Sequence, residues 1–110
     1  MRKLTRDEIL AMEPGRELDA LVAEKVMGWT KVGENAWEAP NIKGYPLLPR
    51  YSTDIATAWE VVEKIAQKWH DFNIGRHHGK WSIGWNYKGS VVDLKTAPEA
   101  ICKAALLARF

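Results

Sequence analysis

Residues 50–65 read "RYSTDIATAWEVVEKI", and this stretch decides the architecture. Three short polar residues, Ser52, Thr53 and Asp54, precede a run with helical periodicity. Ile55, Trp59, Val62, Ile65, Ala66 and Trp69 form one stripe, while Glu60, Glu63, Lys64 and Lys68 take the other side. Side-chain oxygens of this kind start helices by accepting from free backbone N–H groups. The pattern predicts an amphipathic helix whose stripe, Trp59 at its centre, packs on a sheet.

Such a sheet follows. In residues 80–87, "KWSIGWNY", Trp81, Ile83, Trp85 and Tyr87 alternate with Ser82, Gly84 and Asn86, and "YKGS" turns into "VVDL", where Val92 and Leu94 would share the apolar face. The chain then runs into "TAPEAICKAALLARF". There Thr96 and Glu99 have capping-box spacing, Pro98 sits in the tolerated first turn, and Ile101, Ala104, Ala105 and Ala108 make a small-residue face.

Toward the N-terminus, Thr5 and Glu8 form another capping box in a short helical turn that stops at Pro14-Gly15. Leu18, Leu21, Val22 and Val26 then recur at helical spacing, with Lys25 near the negative end of the dipole and Gly28 as a terminator. Residues 29–40 alternate around Gly-Glu-Asn, a short hairpin carrying Trp29 and Trp37. Residues 41–53 hold two prolines and a glycine and read as an irregular connection. The expected fold is α+β, an alpha-beta-alpha sandwich in one domain over 1–110. Its mostly antiparallel sheet has about four strands with helices packed on it, in the order α-ββ-α-ββ-α.

Composition narrows the function classes. The 110 residues are 46% hydrophobic, enough for a real core. Sixteen basic against 14 acidic residues give +2, too weak a field to demand nucleic acid or an anionic membrane. A lone Cys102 excludes an internal disulfide. The opening "MRKLTRDEIL" lacks a signal peptide's apolar stretch, and no segment is apolar enough to span a bilayer, so a cytoplasmic protein is expected.

Catalytic and metal motifs fail on their geometry. "GRHHGKWS" (75–82) resembles a phosphate loop, but three residues rather than four separate its glycines, Trp81 follows Lys80, and the segment enters a strand. His70, His77, His78 and Cys102 do not have the spacing of a first coordination shell. Ser52, Asp54 and a histidine lack the surroundings of a nucleophile, and no spacing favours one carboxylate pair. The expectation is no enzyme, no metal and no cofactor.

Binding chemistry remains. Arg50 is a fork-shaped donor, Tyr51 an aromatic plane, and Ser52, Thr53 and Asp54 stand where a helix exposes its first N–H groups, an anion seat. Arg76, His78 and Lys80 add charge that could meet a phosphate. Trp29, Trp37, Trp81 or Trp85 could stack on a base, and Trp85 is included in the candidate site. The plainer reading of residues 50–54 is a helix cap.

The blocks "PGRELDALVAEKVMGW", "PRYSTDIATAWEVVEKI" and "TAPEAICKAALLA", in this order, resemble the phage ABA sandwich domain family. The resemblance implies an alpha-beta-alpha sandwich of phage or prophage origin and supplies no active-site residues to carry over. It also implies a context in which very small phage proteins act by binding. The leading expectation is a non-enzymatic, homo-oligomeric phage protein in the bacterial cytoplasm. It would hold a small phosphorylated ligand, such as a nucleotide signal of host immunity. The rival is a module that blocks or adapts a host or phage protein through exposed sheet surface; weak nucleic-acid binding is a third reading.

Overall fold

The capping box at Thr5 forms as its spacing predicts: the Thr5 hydroxyl accepts from Glu8 N–H at 3.1 Å, and the Glu8 carboxylate accepts from Thr5 N–H at 3.2 Å. It opens α1 (Arg6–Ala11) in a computed structural model that describes residues 5–34, 36–68, 71–85 and 89–108. Then come α2 (Arg16–Lys25), β1 (Thr30–Gly33), β2 (Ala36–Glu38), α3 (Ile55–Ile65), β3 (Phe72–His77), β4 (Lys80–Trp85), β5 (Gly89–Leu94) and α4 (Ala97–Leu107). The class is α+β, with antiparallel sheets and helices packed in layers. The strands form two sheets, a β1–β2 hairpin and a β3-β4-β5 meander. Trp69 and His70, residues 86–88 and the side chain of Val92, for which the sequence raises expectations, lie outside the described residues.

The last helix is the centre of the molecule. Every residue of α4 is buried, not one face alone. It packs against α1, α2 and α3 and also against β4 and β5, so it stands between the other helices and the three-stranded sheet. Its run of alanines permits this, because small side chains let neighbours close in on several sides. Thr96 caps it by accepting from Glu99 N–H at 3.3 Å. The expected reciprocal half is replaced: the Glu99 carboxylate turns inward to Lys103, 2.7 Å away, and the Lys103 ammonium also donates to the Leu10 carbonyl at 2.8 Å. Burying this lysine is tolerable only because it is paired and hydrogen-bonded.

That arrangement corrects the stripe assigned to α3. Its buried residues are Ala58, Val61, Val62 and Ile65, whereas Ile55 is 52% and Trp59 49% exposed. Among the described residues the helix lies against α4 and not on a sheet. Close approach to an alanine-rich partner favours the face centred on Ala58 over one carrying a bulky indole. Glu60, Glu63, Lys64 and Lys68 are exposed as expected.

Two features of the sheet were not read from sequence. The first is β3, which pairs in register with β4 from Phe72↔Trp85 to His77↔Lys80. His78 and Gly79, at φ 52 and 76, form the two-residue turn between them, so the glycine-flanked "HHGK" is a hairpin turn with both central residues left-handed. The second is a bulge. Trp81 pairs with Leu94 and Ile83 with Val91, and Asp93 sits at φ 61. One extra residue in β5 resets the alternation, so Val91, outside the expected set, is the buried residue opposite Ile83.

Candidate functional site

The stretch around Ser52 forms an internal clamp. Ser52 is fully buried and meets Asp19, itself buried on the core side of α2. Asp19 Oδ1 accepts from the Ser52 backbone N–H at 2.7 Å and from its hydroxyl at 2.6 Å, while Oδ2 accepts from Arg16 at 3.1 Å. The Ser52 oxygen in turn accepts from Gly15 N–H at 2.9 Å. Arg16 also donates to the Leu48 carbonyl at 2.7 Å. The chain before α3 is thus fastened to the start of α2 by charge-assisted bonds, buried at Ser52–Asp19 and exposed at Arg16–Leu48.

This changes the roles of the residues in 50–54. Tyr51 is 1% exposed, so its ring is core and offers no stacking plane; burial, then the nearby Glu60 carboxylate, pushes its phenol above the ordinary tyrosine range. The polar atoms of Ser52 are already satisfied inside and cannot seat an anion. Arg50 is exposed, and its carbonyl accepts from Thr53 and Asp54 N–H groups in the turn. Thr53 is exposed. Asp54 is the N-cap residue of α3, and the Thr57 hydroxyl donates to its carboxylate, which lowers its pKa.

The remaining expected residues lie elsewhere. Arg76, His78 and Lys80 are exposed at the β3–β4 hairpin end, with the Arg76 guanidinium 5.9 Å from the centre of the Trp81 ring. Trp85 is buried against Gly89, where an added Cβ would come within 2.5 Å of the indole. Cys102 is buried, and burial pushes its thiol up, away from the reactive thiolate.

Two open grooves gather what the sequence reading dispersed, and none of the nine expected site residues lines either one. The first, of about 630 Å³, lies between α2, the β1–β2 hairpin and Leu47–Leu48; Trp37, Leu21 and Ala20 give it apolar surface, and Arg16, Lys31, Glu17, Glu24 and Glu34 give it charge of both signs. Next to it the connection leaves Leu47 90% and Tyr45 71% exposed, with Ile42 exposed as well. The second groove, of about 510 Å³, runs between α3, the sheet and the start of α4, lined by Ile55, Trp59, Ile74, Trp81, Pro98 and Ile101, with Lys95 its one charged residue among the described ones.

Signals for these features exist in the sequence. Asp19 stands three residues before Val22 on the apolar face of α2, and an acid there calls for a buried partner. Leu47 and Leu48 stand between Pro46 and Pro49, apolar residues in a segment without the periodicity to bury them.

Residues 20–106 match the phage ABA sandwich domain. The chain belongs to this family. Among solved structures, this ABA sandwich protein is similar to a phage protein from Bacillus cereus ATCC 14579, crystallised at 2.0 Å. The two are 30% identical, with a TM-score of 0.69 over 87% of this chain and 91% of the other. No curated protein matches. Among the described residues no helix is long and apolar enough to cross a membrane.

Proposed function

We propose that this phage domain is a non-enzymatic module that binds a partner protein through the α2–hairpin groove and the connection beside it. One observation carries the reading: Leu47 and Tyr45 stand in water on a segment that the Asp19–Ser52 clamp and the Arg16–Leu48 bond hold in place. Large apolar side chains exposed on a fastened loop have their ordering cost already met, the condition under which loops bind well. The mixed-sign rim suits a protein surface, which offers both charges, better than a phosphorylated small molecule, which offers one.

The test is site-specific photo-crosslinking from position 45 in phage-infected or lysogenic cells, with Leu47→Asp as control. Leu47 is almost fully exposed, so the variant should fold normally and lose the cross-linked protein. Cross-links unchanged by Leu47→Asp would refute the proposal. So would a melting rise of roughly ten degrees with a linear or cyclic nucleotide at about 100 times its dissociation constant, which would restore the phosphorylated-ligand reading.

A further inference from the structure

We infer that α3 and the groove beside it form a two-fold interface between two copies of this chain. This surface shares no lining residue with the groove assigned to a partner protein, and the inference stands independently of that assignment. On α3, Ile55, Trp59 and Glu63 form an i, i+4, i+8 row, so the half-exposed indole stands between an exposed isoleucine and an exposed carboxylate. The groove beside the row is mostly apolar, with Ile55 and Trp59 themselves on its helical edge and Ile74, Trp81, Pro98 and Ile101 lining the rest. A knob and a groove on one face are self-complementary under a two-fold axis, because each copy can seat the other's Trp59.

Charge gives the same pairing. On the helix, Glu63 ends the row beside the groove, while Glu60 and Lys64 lie further round; the opposite side carries Lys95 in the groove wall, Arg76 over Trp81, and Lys80 at the hairpin end. Among the described residues, Glu63, Lys80 and Lys95 take part in no ion pair within the chain. A two-fold rotation sets Glu63 of each copy against the basic side of the other, whereas an acidic or basic partner could satisfy only one of the two. A standard interface covers about 800 Å² per partner, roughly a tenth of the 7296 Å² surface of this chain. Trp59 would be the anchor, a residue type enriched at the energetic centre of interfaces.

Sedimentation velocity on the full chain tests this. The wild type should be dimeric at about 100 μM, where a dissociation constant near ~1 μM leaves little monomer. Trp59→Glu should weaken association by roughly 30-fold or more, with circular dichroism showing the fold retained. The charge pairing has its own test: Glu63→Arg and Arg76→Glu should each weaken the homodimer, and mixing the two variants should restore a heterodimer. A monomeric wild type overturns the inference, as does a dimer indifferent to Trp59→Glu. A mixture that fails to recombine overturns the assigned pairing of Glu63 with the basic side.

Discussion

Replacing Ser52 by alanine tests whether residues 50–54 are a clamp or a ligand seat. The hydroxyl donates to the buried Asp19 carboxylate at 2.6 Å and accepts from Gly15 N–H at 2.9 Å. A hydrogen bond to a charged group contributes about 1.5–3 kcal/mol, and orphaning a buried donor costs about 1–3 kcal/mol. The Ser52 backbone N–H and Arg16 still hold Asp19 in the variant, so the lower halves of both ranges apply. The expected loss is about 2.5–4 kcal/mol, a large fraction of the stability of a domain this size. Urea melts of Ser52→Ala, with the exposed neighbour Thr53→Ala as control, provide the measurement; the control should stay within about 0.5 kcal/mol of wild type. A cycle with Asp19→Ala should show coupling of about 1–3 kcal/mol, since the two residues share one network. If Ser52→Ala costs less than about 1 kcal/mol, or the cycle is additive, the pair does not clamp the chain and the anion-seat reading regains its ground.

Trp59→Ala should cost the isolated chain less than about 1.5 kcal/mol because half of the residue is already in water, whereas Val61→Ala, fully buried toward α4, should cost about 1.5–3 kcal/mol; denaturant melts at dilute concentration rank the two. Gly89→Ala places a Cβ within 2.5 Å of the Trp85 indole and should destabilise by roughly 1–3 kcal/mol, visible as a lower melting temperature and a shifted tryptophan emission. Tyr51 and Cys102 hold their protons longer folded than unfolded, so stability is full below about pH 8 and falls as rising pH ionises the unfolded chain alone, first at the thiol and then at the phenol. Melts across alkaline pH should show this slope, and Tyr51→Phe should flatten it.

Local signals in the sequence were legible where the cause is local. The Thr5–Glu8 box, the Thr96 cap, the hairpin bearing Trp37 and the alternation of β4 each follow from residues within a few positions of one another. The face of α3 did not, because both candidate stripes are apolar; the choice fell to α4, the helix it packs on, and Ala58 and Val61 are buried in place of Trp59. The register of β5 was hidden by the bulge at Asp93, a residue whose positive φ leaves little trace in composition. At residues 50–54 the polar composition was read correctly as the approach to a helix, but the partner of Ser52 lies 33 residues away on α2. No local pattern identifies a bond of that range.

The central position of α4 also explains why apolar side chains remain outside. An all-round buried helix already offers surface to α1, α2, α3 and the sheet, and the Glu99–Lys103 pair with its bond to Leu10 fixes where α1 sits against it. Turning α3 to bury Trp59 would withdraw Val61 and Val62 from α4 and open a cavity there. Releasing the connection to bury Leu47 would break the Arg16–Leu48 bond and strain the Asp19–Ser52 clamp. Neither exposed group can therefore be buried by repacking this chain without losing contacts of similar or greater worth. On the two proposals made above, other molecules supply that burial: a second copy at Trp59, and a different partner at Leu47 and Tyr45.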